Sequence, residues 1–191
     1  LNIAIGELAM GAADTTGTNN IAMGQVAMDA LTTGLKNIGI GWGALSASTT
    51  GCDNIAIGRL TMGGTDTTGV NNIAMGNSAM DALTTGLCNI SLGVSSSGAM
   101  TTGCLNVAIG TNALGGAITT GSSNVAIGPD AADAVTSAYN LVAIGLRAFG
   151  AGTTGANNIA IGREAMGIGV VTGAANIAIG NDSMEDLTTG I

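Results

Sequence analysis

Three cysteines, twelve acidic and four basic side chains are the whole stock of ionisable or strongly nucleophilic groups that bear on function in this 191-residue sequence, which contains no histidine. Without an imidazole there is no Ser-His-Asp triad, no histidine general base and no histidine-bearing zinc site. Cys52, Cys88 and Cys104 are odd in number and lack paired spacing. The acids do not gather into the glycine-rich aspartate nonapeptide that binds calcium in other β-rolls. The residue types point away from an enzyme: no catalytic residue, no metal ligand and no cofactor is expected. Lys36, Arg59, Arg147 and Arg163 leave a net charge of -8. That sign repels nucleic-acid phosphates and anionic lipid surfaces, so neither is an expected partner. Glycine, threonine and asparagine interrupt every apolar run well before the ~18 residues of a membrane-spanning helix, and membrane insertion of this segment is not expected. Only Trp42, one of three aromatic residues beside Tyr139 and Phe149, is a candidate contact for a glycan or receptor.

The elements that position these groups are repeats. Asn-Ile-Ala-Ile-Gly opens at Asn2–Gly6 and returns through Asn176–Gly180, its closing glycines at 6, 24, 41, 58, 76, 93, 110, 128, 145, 162 and 180. The eleven copies are spaced 18, 17, 17, 18, 17, 17, 18, 17, 17 and 18, so a 52-residue superperiod lies over the shorter one. The extra residue always falls between the motif glycine and the next Thr-Thr-Gly. Helical-hairpin repeats need about twice this length, and the leucine spacing of leucine-rich repeats is missing. A β-solenoid remains: a strand Ile-Ala-Ile, a glycine turn at positive φ, a second short strand at Ala9–Met10, and a second turn at Thr15–Thr16–Gly17. Eleven coils at ~4.8 Å make a rod of roughly 50 Å, and residues 1–191 form a single repeat domain, open at both ends.

Stacking converts the repeat into columns. The two alternating strand positions, Ile3 to Ile177 and Ile5 to Ile179, hold only Ile, Val, Met or Leu and are expected to point inward. A third column (Met10, Met28, Leu45, Met62, Met80, Leu114, Phe149, Met166, Met184, with Ser97 and Ala132 as exceptions) closes the core from the other side. The position between the inward pair is then expected to face out. It holds Ala4, Ala22, Ala56, Ala74, Ala108, Ala126, Ala143, Ala160 and Ala178, with Gly39 and Ser91, and never a charge or large residue. An unbroken small outward column suggests close packing against another chain. The asparagine before each motif (Asn2, Asn20, Asn37, Asn54, Asn72, Asn89, Asn106, Asn124, Asn158, Asn176, interrupted by Leu141) can form a ladder of stacked amides. Thr-Thr leaves one exposed threonine file, a feature that could match a repeating lattice such as ice or mineral. Cys52 and Cys104 share a column three coils apart, too far to bond, whereas Cys88 and Cys104 lie in neighbouring coils and adjacent columns, where a bond is conceivable.

Asn-Ile-Ala-Ile-Gly followed by a small-apolar pair and Thr-Thr-Gly resembles the head repeats of trimeric autotransporter adhesins. It resembles still more the AIG…AL…TTG repeats of bacteriophage tail fibres and related surface proteins. The resemblance spans all eleven coils. It implies a left-handed parallel β-roll in which three chains pack side by side. The longer repeat and the 52-residue superperiod depart from the adhesin pattern and favour the fibre end of this group.

The expectation is therefore an all-β parallel solenoid that is not an enzyme, assembled as a homotrimer or filament. It would serve as an extracellular fibre shaft or adhesive head on a virion or cell surface, its partners being itself and a host-surface receptor or glycan. The alternative is a lattice-binding solenoid that uses its threonine columns.

Overall fold

The computed structural model describes residues 1–11, 14–117 and 119–189. Its strands are β1 (Ile3–Ile5), β2 (Ile21–Met23), β3 (Ile38–Ile40), β4 (Ile55–Ile57), β5 (Ile73–Met75), β6 (Ile90–Leu92), β7 (Val107–Ile109), β8 (Val125–Ile127), β9 (Val142–Ile144), β10 (Ile159–Ile161) and β11 (Ile177–Ile179). Each pairs in parallel with the next in strict chain order, and motif positions stay in register: Ile21 opposes Ile38, and Ala22 opposes Gly39. The chain is thus an all-β parallel solenoid of about ten turns, with no helix among the described residues. The stretch from each strand to the next is a coil, numbered by its strand.

β-Branched Ile and Val favour the extended backbone of each strand, and the motif glycine ends it. Gly110 shows why glycine is required there. Its φ is 130°, and a Cβ would lie 2.6 Å from the carbonyl oxygen of Gly128 in the coil above. The glycine of Thr-Thr-Gly is needed for a different reason. At Gly103, φ is not positive, but a Cβ would meet the Gly121 oxygen at 2.6 Å. The closing glycine of the eleventh coil, Gly190, lies outside the described residues.

The wall facing the sheet is not the second strand expected at Ala9–Met10. Leu8 and Met10 both have φ 54°, and the equivalent residues of every later coil repeat this left-handed geometry. A backbone alternating in this way cannot form a strand. A third left-handed position, at Asn19 and Lys36, precedes the strand. Such φ values cost energy for residues with a Cβ. Here that cost is offset by hydrogen bonds between coils: Val26 N–H donates to Glu7 O (2.9 Å), Met28 N–H to Ala44 O (2.9 Å) and Lys36 N–H to Thr18 O (3.0 Å).

The strand orientation is the reverse of the sequence expectation. Ala22, Ala56, Ala74, Ala108, Ala126, Ala143 and Ala160 are wholly buried inside their own chain, as is Ala178 at 2% exposure, and only Ala4, on the uncovered first coil, is exposed. The flanking Ile, Val, Met and Leu residues point outward and are half-buried or exposed. Alanine lines the interior because the opposite wall sends a large side chain across it. At Gly39 a Cβ would stand only 3.0 Å from Met28 Cε. The third column closes the core as read: Met28, Leu45, Met62, Met80, Leu114, Phe149 and Met166 are at most 1% exposed.

Candidate functional site

Because side chains alternate along a strand, Asn20 and Ala22 face the same way, into the rod. The asparagines stack as a file of buried amides. Asn37 N–H and Nδ2 both donate to Asn20 Oδ1 (2.8 and 3.2 Å), while Asn37 Nδ2 also donates to Gly51 O (2.6 Å). The same pattern joins Asn2 to Asn20, Asn72 to Asn89, and Asn106 to Asn124. At Leu141 the file is interrupted. Its N–H still donates to Asn124 Oδ1 (3.1 Å), but its side chain offers no oxygen to Asn158.

The threonine pairs divide their labour. Thr32, Thr84 and Thr136 are half-buried, and each hydroxyl donates to the threonine carbonyl one coil on, at 3.0–3.2 Å. Their neighbours Thr33, Thr50, Thr85 and Thr102 form an exposed file. This is a single rank, because the adjacent hydroxyls are committed to holding coils together.

The outer face of the sheet is apolar along its whole length. Two files, one running from Ile3 to Ile177 and the other from Ile5 to Ile179, present Ile, Val, Met and Leu in every coil. Even the half-covered positions stay accessible, with Met23 at 38% and Met75 at 43% exposure. The in-phase relation of asparagine and alanine was the sequence signal for this orientation.

Trp42 is 43% exposed, and the Arg59 guanidinium lies 4.9 Å from the centre of its ring. One aromatic face is thereby occupied by the chain's own cation. Cys52, Cys88 and Cys104 are free thiols.

Charged side chains concentrate toward coils 8 to 11. Asp130, Asp133, Arg147, Gly150, Ala151 and Gly167 line a shallow cleft of about 330 Å³. Beside it Glu164, Asp182 and Glu185 bring three carboxylate oxygens within 4.8 Å of one another. Arg163 bridges Asp182 (2.6 Å) and Glu164 (3.1 Å), and Arg147 reaches Glu164 (3.4 Å). These arginines already pair two of the three carboxylates, those of Glu164 and Asp182.

A further set of residues was missed in the sequence reading. Asp29, Asp81 and Asp133 recur every 52 residues, and each buries an Oδ1 that has no hydrogen-bond partner among the described residues. Asp81 and Asp133 sit against the extra residue of the preceding 18-residue coil. A Cβ on Gly64 would lie 2.7 Å from Asp81 Oδ2, and one on Gly116 would lie 2.6 Å from Asp133 Oδ2. Burial pushes the Asp81 carboxyl above its ordinary value, partly offset by the amides of Gly64 and Gly63. Burial and then the charge of Asp130 do the same to Asp133, against the Gly116 amide. The superperiod was the available signal, since glycine pairs at 63–64 and 115–116 each precede an aspartate by 17 residues.

Comparison with family models, with curated proteins and with solved structures returns no match to this chain.

Proposed function

We propose that this chain is a non-enzymatic segment of an extracellular structural fibre, a left-handed parallel β-roll that associates side by side as a homotrimer. It would serve as the rigid shaft or adhesive head of a phage tail fibre or bacterial surface protein. The observation that carries this reading is the aliphatic outer face of the eleven-stranded sheet. A strip roughly 10 Å wide and about 50 Å long offers on the order of 500 Å² per chain. A patch of that size stands near the top of what a monomer ordinarily leaves exposed, and such patches are often functional. Two such strips together approach the ~1,000 Å² of a specific interface.

The occupant that fits is another copy of the chain. A partner touching all eleven coils must itself repeat every ~4.8 Å, and a parallel copy does so in register. The interface therefore moves from the alanine column, which lies in the core, to the isoleucine files on either side of it. Left-handedness comes from the resemblance to adhesin and tail-fibre repeats.

Substitution of opposite faces tests the reading. Ile127→Lys places a charge on the proposed interface and should give a folded monomer. Ala126→Lys places it in the core and should unfold the coil. An Ile127→Lys chain with the same mass in solution as the parent contradicts the reading.

The exposed threonine file supports a second reading, a monomer that binds a lattice. Thermal hysteresis from a monomeric chain, lost on Thr85→Lys, is its signature. The fibre reading is preferred because only one threonine rank is free, whereas two aliphatic ranks are unpartnered. A carbohydrate-binding role for Trp42 requires a sugar to use the ring face that Arg59 leaves open.

A further inference from the structure

We propose that the aspartate seated against each glycine bulge is a proton-sensitive clasp, holding successive coils together more tightly in acid than at neutral pH. The geometry is seen twice, one superperiod apart. An 18-residue coil carries an extra residue, Gly64 in coil 4 and Gly116 in coil 7, and the next coil lowers Asp81 or Asp133 onto it. Neither glycine leaves space for a Cβ, so the carboxylate rests directly on backbone. In each case Oδ1 is sealed from water without a hydrogen bond, a costly position for an ionised oxygen and a cheaper one for a neutral carboxyl. Asp29 stands 52 residues before Asp81, but the sequence has Ala12 where the later coils have Gly64 and Gly116, and Asp29 is not part of the proposal.

The groups facing the two carboxyls are few. Asp81 is met by the Gly63 and Gly64 amides, and its upward shift is due to burial rather than to another charge. The other acid of coil 4, Asp66, is turned to coil 3, accepting from Thr49 N–H and Oγ1 at 2.9 Å. Asp133 is met by the Gly116 amide, by Asp130 on its own coil, and by Arg147 of coil 9 across their shared cleft. Both carboxyls bind their proton more tightly folded than unfolded. Their contribution to stability is fully present below the ordinary aspartate range and is lost as the pH rises through the elevated folded values.

Thermal midpoints of the parent chain, of Asp81→Asn/Asp133→Asn, and of a control with two exposed acids changed, Asp53→Asn/Asp186→Asn, test this at pH 3 and pH 7. Asparagine mimics the neutral carboxyl. The double variant is expected to melt above the parent at pH 7 and level with it at pH 3, while the control keeps the parent's dependence. Other titrating groups are common to parent and variant and cancel in the comparison. An equal difference at both pH values, or no gain at pH 7, overturns the clasp. Carbon-13 titration of the parent's side-chain carboxyls gives an independent check. Asp81 and Asp133 should titrate above the exposed aspartates, and titration together with them overturns the proposal.

Discussion

Ser91 Oγ and Ser97 Oγ lie 2.7 Å apart in the centre of coil 6, both buried. Most other coils set an alanine on the strand against a methionine or leucine on the opposite wall at these two positions. Replacing both at once keeps the site satisfied, because each hydroxyl finds the other. Met100, wholly buried in the same coil, turns its sulfur toward Asn106, whose Nδ2 lies 3.5 Å away. The hydrophobic core divides here into one cluster ending at Met100 and another beginning at Ala108. Ser91→Ala alone should cost about 1–2 kcal/mol, since it strands a buried hydroxyl. Ser91→Ala/Ser97→Met should recover that loss and join the two clusters, read as a higher denaturation midpoint than the single variant.

The asparagine file predicts effects of opposite sign at two sites. Asn72 Oδ1 accepts from Asn89 N–H and Nδ2, and its own Nδ2 donates to Asn54 Oδ1 and Gly86 O. Asn72→Ala should cost about 2–4 kcal/mol by leaving several buried groups unpaired. Leu141→Asn places an amide where the file is broken and gives Asn158 an oxygen to meet. It should stabilise by about 1 kcal/mol in urea denaturation.

Gly110→Ala sets a Cβ against the Gly128 carbonyl at a φ of 130°. Strain alone predicts a loss of ~1–3 kcal/mol, and the clash adds to it. Amide hydrogen exchange should show the loss concentrated in coils 6 to 8, because each coil leans only on its neighbours.

Phe149 and Gly152 predict a compensated pair. A Cβ on Gly152 would run into the Phe149 ring, at 2.5 Å from Cδ1 and closer to Cε1. Gly152→Val should therefore be strongly destabilising alone and tolerated with Phe149→Met, which recreates the shape of coil 10, where Met166 and Val171 are both buried. Thermal melts of the three variants check this.

Eleven coils, their parallel register and the buried third column could all be read from the spacing of Asn-Ile-Ala-Ile-Gly, because a 17- or 18-residue repeat leaves few ways to stack. The direction of the strand was misread from hydrophobicity. Isoleucine at positions 3 and 5 looks like core and Ala4 like a thin outer face. The opposite holds because a methionine such as Met28 crosses the narrow interior and leaves space only for alanine or glycine. Asn2 stands two residues from Ala4, in phase with it, and its need for buried amide partners marks the true inner side. The left-handed wall at Leu8 and Met10 gave no sequence signal, since neither is glycine, and only the hydrogen bonds between coils hold it. The aspartates of the bulges were visible as a 52-residue recurrence but acquire meaning only with Gly64 and Gly116 beneath them.

Sedimentation equilibrium of the parent chain tests most directly whether the outward isoleucine files join copies of this protein. With a chain mass of 18.3 kDa, a homotrimer sediments at about 55 kDa, and Ile127→Lys/Ile144→Lys should reduce that to a folded monomer. A parent that stays at 18.3 kDa across micromolar concentrations, its apolar face open to water, contradicts the account.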